Sequence, residues 1–265
     1  MNFHPRVCAD AGGIRLKHRR ILAIWEINVI MGNLYLVMPA YNEAENIEDV
    51  VNSWYPLLEG KGEGSRFVVA DSGSTDNTHK ILMRLMEKYP KLEVLSDTGK
   101  QHGPKLMALY SYAIKNGADY IFQTDSDGQT NPEEFGRFWK NRNKYDAIIG
   151  KRPVRGDGKS RKFVEKVLCM ILRIYFNVSV PDANAPFRLM KAELVDKYIK
   201  KLPDEYDLPN VMLTVYFAHF KENIRFVNIS FKPRQGGVNS LNIPKIVKAG
   251  WKALHDFYLL RKDIN

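Results

Sequence analysis

The sequence is poor in the features that mark secreted, membrane-spanning and metal-clustered proteins. Its 265 residues include two cysteines, Cys8 and Cys169, so no disulfide framework is available and a reducing compartment is expected. No run of about 18 apolar residues is free of charge, so no membrane-spanning helix is predicted. The six histidines show no metal-ligand spacing, and no internal repeat is visible. One globular domain with appendages fits this length.

Positive charge is in excess. The chain has 40 Lys and Arg residues against 30 Asp and Glu residues, which gives a net charge of +10 and a pI near 9.4. The hydrophobic share of 45% and the charged share of 26% are ordinary for a globular protein. On charge alone, three acidic partners remain open: nucleotide phosphates, an anionic membrane surface and nucleic acid.

The first 33 residues do not fit the pattern of the rest. A basic stretch at 15–20 precedes an apolar stretch at 21–31 that Glu26 interrupts. Two interpretations stay open: an interfacial basic helix, or a mis-assigned start upstream of a true first residue at Met31. We treat residues 1–33 as an extension, residues 34–241 as the main domain and residues 242–265 as a C-terminal amphipathic helix.

Strand and helix patterns alternate along the main domain. Buried strands are predicted at residues 34–38, 67–70, 92–95 and 120–124, the first stopped by Pro39. The predicted helices are one opened by Asn42 or Glu45, one at 77–89 capped by the turn at 71–76, and one at 105–116. This alternation predicts an α/β fold with a mostly parallel sheet and flanking helices.

Polar segments follow three of the predicted strands, at 39–43, 71–76 and 125–129. Ligands of parallel sheets bind beyond the carboxyl ends of the strands, so we expect all three segments at one edge. Asp125 and Asp127 are one residue apart, and Gly128 lets the chain turn so that both can face one ligand. Such hard oxygen ligands suit Mg²⁺ or Mn²⁺. An isolated D-x-D is also typical of a plain Asp-rich turn.

Three motifs in succession resemble the inverting family 2 glycosyltransferases, which have the GT-A fold, a Rossmann-like doubly wound sheet. P-x-Y-N-E begins at Pro39, D-S-G-S-T-D at Asp71 and D-S-D at Asp125. The likeness covers residues 34–241.

Later motifs resemble the branch of dolichol-phosphate mannosyltransferase and bacterial polyprenyl-phosphate sugar transferases. That branch has D-x-D-x-Q, G-x-R, F-R after an Asp, and R-x-x-G-x-S-K, and the counterparts here are residues 125–129, 150–152, 182–188 and 234–240. The chain departs from the pattern at Ser72, where a second Asp is usual. Asn239 and Ser240 stand in the Ser and Lys positions of the last motif.

The resemblance implies a role for each motif. Nucleotide-sugar contacts are implied for Pro39, Ala40, Tyr41, Glu43, Val69, Asp71, Lys105, Asp125 and Ser126. Two of these residues have an alternative role: the side chain of Lys105 could be solvated, and Asp71 could cap a helix. Ligation of Mg²⁺ or Mn²⁺ is implied for Asp125, Asp127 and Gln129. Catalytic contacts are implied for Asp127, Arg188 and Arg234, and acceptor-phosphate contacts for Arg152, Arg161, Arg234 and Ser240. The implied reaction moves a hexose from a GDP- or UDP-linked sugar to polyprenyl phosphate, with inversion.

Two apolar segments suggest how the chain meets a lipid. Residues 151–173 hold eight basic and two acidic residues, and residues 163–176 form a very apolar predicted helix. The basic segment and the apolar helix together fit a phosphate on an isoprenoid tail, because arginine binds phosphate bidentately. A buried helix beside a solvated loop fits them equally well.

The last helix, opened by Pro244, carries one apolar stripe flanked by lysines. It fits a membrane interface or packing on the domain, on a second copy or on a membrane protein. A cytoplasmic enzyme at the inner face of the membrane is expected.

The acceptor decides whether a base is needed. A lipid phosphate, with a second pKa near ~6, is already anionic. A hydroxyl of a surface polysaccharide or lipid-linked oligosaccharide needs a general base, for which Asp204, Glu205 and Asp207 are candidates, although an exposed loop is the simpler interpretation. Two other classes are a nucleic-acid-binding protein, disfavoured because aligned carboxylates repel phosphate, and a non-catalytic sugar-nucleotide sensor.

Overall fold

The computed structural model describes residues 32–153, 159–233, 243–262 and 264, without the side chains of residues 159–162 and 243–249. Residues 1–31, with both interpretations given for them, lie outside this range, as do Arg234, Ser240 and the side chain of Arg161. Asn33 already belongs to the domain, because its carbonyl accepts the backbone N–H groups of Asp119 and Tyr120 at 3.0 and 3.1 Å.

Within the described residues, seven strands form one sheet in the order β3-β2-β1-β4-β6-β5-β7. They are β1 Leu34–Ala40, β2 Arg66–Asp71, β3 Leu92–Leu95, β4 Tyr120–Gln123, β5 Ala147–Lys151, β6 Arg188–Lys191 and β7 Ile224–Asn228. Strand β1 pairs in parallel with β2 and β4, β2 with β3, and β5 with β7. Strand β6 runs antiparallel to β4 and β5. The predicted mostly parallel α/β sheet is confirmed.

Helices cover both faces of this sheet. They are α1 Ile47–Trp54, α2 Thr78–Lys88, α3 His102–Lys115, α4 Phe135–Lys140, α5 Lys159–Phe176, α6 Ala192–Ile199, α7 Pro209–His219 and α8 Ile243–Arg261, with 3₁₀ turns at Tyr55–Leu58 and Pro132–Glu134. One core lies under α3, α5, α6, α7 and α8, and the other under α1, α2 and α4. Alternate residues of each strand point to opposite faces, so Val37 enters the first core and Leu36 the second. Of the helices that the structure describes, none is at once long and apolar enough to traverse a bilayer.

Strand β1 does not stop at Pro39 as predicted, but continues to Ala40. The N–H and C=O of one residue point to the same side of a strand, and the Pro39 carbonyl accepts from the Oγ of Ser126, on the β4 side, at 2.9 Å. The ladder with β4 ends earlier, at the pair Val37 and Gln123. The missing N–H of proline therefore falls where no ladder bond is required.

The first helix also begins later than predicted, at Ile47 instead of Asn42 or Glu45. Asn42 has a φ of +53°, which no right-handed helix contains, and asparagine adopts this conformation more readily than most residues. Helix α3 begins earlier than predicted, at His102. This places one more helical turn at the edge that carries the polar segments.

Candidate active site

The ends of β1, β2 and β4 lie side by side at one edge of the sheet. Ala40 is opposite Asp71 in the pairing of β1 with β2, and Val37 is opposite Gln123 in the pairing of β1 with β4. Neighbouring strands are about 4.8 Å apart and β1 lies between the other two, so the segments after β2 and β4 are separated by roughly 10 Å. The three polar segments, including Asp125, share one edge as predicted.

Asn42 ties the loop after β1 to the loop after β2. Its backbone N–H donates to the Oγ of Ser74 at 3.0 Å, and its Oδ1 accepts from the N–H of Thr75 at 2.8 Å. The N–H of Glu43 donates to the Oγ1 of Thr78 at 2.8 Å. The two motifs are therefore held together along this edge of the sheet.

Lys105 enters this edge from the first turns of α3. It is 1% exposed, so the alternative of a solvated side chain is wrong. Its Nζ donates to the carbonyl of Ala40 at 2.5 Å and lies 5.2 Å from the centroid of the Tyr41 ring. Burial lowers the pKa of Lys105 to about 8, and the charge of Asp71 partly offsets this. Tyr41 itself remains 45% exposed, so its ring is available to a ligand.

Asp71 is a buried carboxylate at the end of β2. It accepts a hydrogen bond from the Oγ of Ser74 and lies 3.2 Å from the Nδ1 of His79. It does not cap α2: the N–H of Thr78, the first residue of that helix, donates instead to the Oδ1 of Asp76 at 2.9 Å. The nucleotide contact implied for Val69 is corrected: its side chain is 0% exposed in the second core.

Asp125 is held from two sides. Its Oδ1 accepts from the Nε2 of Gln123 at 3.1 Å and lies 3.3 Å from the Nε2 of His102. The side chain keeps 27% of its surface exposed, so the carboxylate is open to a ligand at this edge while its orientation is fixed by protein groups. His102, at the first position of α3, did not stand out in the sequence because a single histidine carries no spacing pattern.

A tight turn positions Asp127 and Gln129. Gly128 has a φ of +70°, which favours glycine, and the Oδ1 of Asp127 accepts the N–H of Gln129 at 3.1 Å. Gln129 exchanges two hydrogen bonds with Lys232: its Nε2 donates to the Lys232 carbonyl at 2.8 Å and its carbonyl accepts the Lys232 N–H at 2.9 Å. The chain that leads towards Arg234 therefore passes beside the D-x-D-x-Q turn.

These residues fit the metal ion that the fold family implies. Within the described stretches of the chain, no three His, Cys, Asp or Glu side chains converge to hold a metal. Asp125 and Asp127 offer two carboxylates, which is the number Mg²⁺ commonly takes when substrate phosphates and water complete its coordination. Gln129 could contribute its Oε1, because its Nε2 is engaged with a carbonyl.

Arg188, for which a catalytic contact was implied, is 0% exposed. Its guanidinium donates to the carbonyls of Ala185 at 2.9 Å and Asn210 at 3.0 Å. Burial lowers the pKa of Arg188. Because the donors of Arg188 are taken by these backbone carbonyls and none of its surface is exposed, the implied role is corrected to positioning the start of β6.

The guanidinium of Arg152 is likewise engaged by another group of the protein. Its Nε and Nη2 each donate to Asp182 at 2.8 Å, and the two side chains are 5% and 4% exposed. Burial acts to lower the pKa of Arg152, but the hydrogen bond and charge of Asp182 outweigh it and leave the pKa raised. The acceptor-phosphate contact implied for Arg152 is therefore corrected to an ion pair that holds the loop at 182–187.

The acidic loop at 204–207 adjoins the first turn of α3. A β-carbon on Gly103 would lie 2.3 Å from the carbonyl oxygen of Asp207 and 2.4 Å from that of Tyr206. The Asp207 carboxylate forms an ion pair with Lys252 of α8. The loop thus connects the C-terminal helix to the helix turn that carries His102.

A two-helix surface, formed by α5 and α8, exposes large apolar side chains. The helices pack through Phe176 and Phe257, whose ring centroids are 5.7 Å apart. The large apolar residues exposed on these two helices are Phe163, Val164, Met170, Ile174, Trp251, Tyr258 and Leu259. The apolar stripe predicted for the last helix therefore does not lie on one side only: Phe257 is 1% exposed and packs in the core, whereas Trp251 is 72% exposed.

Comparison with known proteins agrees with this geometry. The profile described as Glycosyl transferase family 2 matches residues 35–199. The undecaprenyl-phosphate 4-deoxy-4-formamido-L-arabinose transferases of Salmonella paratyphi B and Salmonella newport are each 21% identical over 166 residues, 62% of this chain and 50% of theirs. The chain therefore spans about half the length of the curated relatives that it matches.

Crystal structures of glucosyl-3-phosphoglycerate synthase from Mycobacterium tuberculosis share the fold. The complex with Mn²⁺, UDP-glucose and phosphoglyceric acid has a TM-score of 0.65 at 20% identity, covering 91% of this chain and 84% of that one. The complex with Mg²⁺ and UDP has a TM-score of 0.64 at 20% identity, covering 90% and 83%. The sheet order and these neighbours establish the GT-A fold. Since the family profile matches more than half of its length, the chain belongs to glycosyl transferase family 2 and is a glycosyltransferase.

Proposed function

We propose that this glycosyltransferase is a metal-dependent, inverting hexosyltransferase that uses a GDP- or UDP-linked sugar as donor and polyprenyl phosphate, at a membrane surface, as acceptor. The observation that carries the donor half is the single sheet edge shared by Tyr41, Asp71 and Asp125. The acceptor half is supported by the relatives named for undecaprenyl phosphate and by the two-helix surface.

The residues of the edge suit the parts of a nucleotide sugar. The exposed ring of Tyr41 can pack on a base, and the carboxylates of Glu43 and Asp71 can accept hydrogen bonds from base N–H or ribose hydroxyl groups. The ammonium group of Lys105 and the N-terminus of α3 both favour negative charge at this edge. Together they orient a nucleoside diphosphate from β2 towards β4.

Asp125 and Asp127 would hold Mg²⁺ or Mn²⁺ at the β4 end of the edge. When bound, the ion offsets the charge that builds on the departing nucleoside diphosphate. The protein groups then keep the anomeric carbon exposed to an acceptor from the opposite side, which gives inversion.

The structure offers little support for a general base in the acidic loop. The Asp207 carboxylate is paired with Lys252, and Asp204 and Glu205 are exposed. A phosphate acceptor needs no deprotonation, because its second pKa is near ~6. These points favour a lipid phosphate over a hydroxyl of a polysaccharide or lipid-linked oligosaccharide as the attacking group.

The two-helix surface supports docking at the inner face of the membrane. Its apolar side chains, among them Trp251 and Tyr258, stand beside the exposed basic residues Lys166, Arg173 and Lys262. Aromatic residues with flanking Lys and Arg are characteristic of helices that lie in the interface of an anionic bilayer. Since Lys252 of α8 pairs with Asp207, whose backbone packs on Gly103 of α3, this arrangement would bring a long isoprenoid tail towards the sheet edge.

A donor panel tests the proposal. GDP- and UDP-sugars are incubated with short-chain polyprenyl phosphate and Mg²⁺ or Mn²⁺, and release of the nucleoside diphosphate is measured with and without chelator. We expect metal-dependent release with one donor only when the lipid phosphate is present. We expect Asp127→Asn to abolish it, and Asp196→Asn, which removes a partly exposed carboxylate of α6 that pairs with Lys200, to leave it unchanged. Nucleotide binding without release from any donor would identify a sensor instead of an enzyme.

A further inference from the structure

A chain of buried hydrogen bonds runs from the interior of the protein to the carboxylate of Asp125. The hydroxyl of Tyr110 donates to the Oδ1 of Asn210 at 2.6 Å, and the Nδ2 of Asn210 donates to the Oε1 of Gln123 at 3.1 Å. The Nε2 of Gln123 then donates to the Oδ1 of Asp125 at 3.1 Å. The three donors come from α3, α7 and β4, so the chain joins three elements at one carboxylate.

The direction of this chain is dictated by its last member. An ionised carboxylate can only accept, so Gln123 must turn its amide nitrogen towards Asp125 and its oxygen towards Asn210. Asn210 must in turn present its nitrogen to Gln123 and its oxygen to the Tyr110 hydroxyl. Burial raises the pKa of Tyr110, which keeps that hydroxyl protonated.

All three donors are shielded from water, since Tyr110 and Gln123 are 0% exposed and Asn210 is 1% exposed. A buried amide without its partner is costly, by about 1–3 kcal/mol, so neither amide can rotate alone. Asp125 therefore rests on a support with one stable orientation, whereas its own side chain is still 27% exposed.

We infer that Asn210, acting through Gln123, is a positioning residue that fixes the rotamer of Asp125 for the metal–nucleotide complex. This inference rests on the proposed role of Asp125 as a metal ligand. Residues that orient metal ligands commonly change metal affinity by about 10–100-fold when altered.

The decisive variant is Asn210→Asp, which keeps the shape but replaces the donor by an acceptor. The Gln123 amide must then turn its nitrogen to the new carboxylate and its oxygen to Asp125. The hydrogen bond to Asp125 is then lost, and two acceptor oxygens repel each other in its place. Gln123→Met removes the last donor directly, and serves if Asn210→Asp does not fold. Tyr35→Phe is the matched control, because it removes another long-range tyrosine hydrogen bond, to the carbonyl of Asn116 at 3.0 Å, far from this edge.

Mn²⁺ binding is measured by electron paramagnetic resonance titration in the presence of UDP and, separately, GDP, with the melting temperature recorded for each variant. We expect the dissociation constant for Mn²⁺ to rise about 10–100-fold in Asn210→Asp and Gln123→Met, and not in Tyr35→Phe. In turnover assays the KM for Mn²⁺ should rise while kcat at saturating Mn²⁺ recovers.

Two results would overturn the inference, and they are distinguishable. Unchanged Mn²⁺ affinity in both folded variants would show that Asp125 needs no support from Asn210, while the proposed function stands. Failure of the unaltered protein to bind Mn²⁺ with either nucleotide would remove the proposed metal dependence and the inference with it.

Discussion

Gly103 packs directly against the backbone of Asp207, and a β-carbon on Gly103 would come within 2.3 Å of the Asp207 carbonyl oxygen. Two backbones in such contact cannot both stay in place if a methyl group is added. We expect Gly103→Ala to lower the free energy of unfolding by roughly 1–3 kcal/mol. Because the same helix turn carries His102 and Lys105, nucleotide binding should weaken as well.

Urea unfolding and nucleotide titration check this prediction. Gly136→Ala is the control, since Gly136 lies in α4 and a β-carbon there meets nothing within 4 Å. Alanine in an open helical position is expected to be neutral or stabilising by up to about 1 kcal/mol. If Gly103→Ala is as stable as the unaltered protein, the loop at 204–207 moves to accommodate the methyl group without lowering the free energy of unfolding.

The buried amine of Lys105 predicts a pH dependence of nucleotide binding. Burial lowers the pKa of Lys105 to about 8, so the free protein loses this positive charge as the pH rises through that value. Affinity for a nucleoside diphosphate should be highest below about 8 and fall above it. For folding the sign is opposite: the buried cation is unfavourable below about 8, and stability rises as the pH moves from there towards 10.5.

Calorimetric titration of UDP and GDP across this range measures the first effect. Lys105→Met should bind the nucleotide more weakly, with an affinity that does not change with pH. Lys100→Met, which removes an exposed lysine of the same edge, should keep the fall in affinity above about pH 8. If the affinity of Lys105→Met still falls over the same pH range, the pH dependence belongs to another group.

The acidic loop tests the nature of the acceptor. We expect Asp204→Asn, Glu205→Gln and Asp207→Asn combined to retain turnover within about tenfold, because a lipid phosphate attacks without giving up a proton. Lys252→Met is the matched control, since it breaks the same ion pair with Asp207 and spares every acid. A loss near total in the triple variant, with Lys252→Met active and both proteins folded, would favour a hydroxyl acceptor.

The two-helix surface predicts membrane binding. Trp251 and Tyr258 are 72% and 56% exposed, and transferring such side chains from water is worth roughly 1.5–3 kcal/mol each when complete. We expect Trp251→Ser with Tyr258→Ser to weaken binding to phosphatidylglycerol-containing vesicles by about tenfold or more. Vesicle co-sedimentation measures this. Met83→Ser, which removes an exposed apolar side chain of α2, should bind normally, and equal binding by both variants would exclude this surface as the docking face.

The sheet and the shared edge could be predicted from sequence because both depend on local patterns. Apolar runs bounded by Gly and Pro mark strands, and the rule that parallel strands present their carboxyl ends together brought Asp71 and Asp125 to one edge without further information. Boundaries were less accurate, as at Pro39, because the end of a strand depends on where its neighbour stops pairing.

Buried polar residues could not be predicted in the same way. Arginine and lysine are mostly exposed in proteins. The enclosure of Lys105 depends on the carbonyl of Ala40, 65 residues away, and that of Arg188 on the nearby carbonyl of Ala185 together with that of Asn210, 22 residues away. Asn210 is a polar residue in the otherwise apolar start of α7, and that exception was the one signal for its role. Its partner Gln123, however, is found only once the strands are assembled.

The place of Asn210 in α7 determines when the support of Asp125 can form. Asp125 is already at the end of β4, but the amide that orients its support belongs to Asn210, 87 residues beyond Gln123. Contacts this distant along the chain form late and slow the folding of a domain. A nascent polypeptide released before α7 therefore carries the carboxylate of Asp125 but lacks the Asn210 amide that orients its support. Competence for ion and nucleotide thus arrives only once the chain has reached α7, whose residues Leu213 and Phe217 also belong to the core beneath Val37 and Ile121.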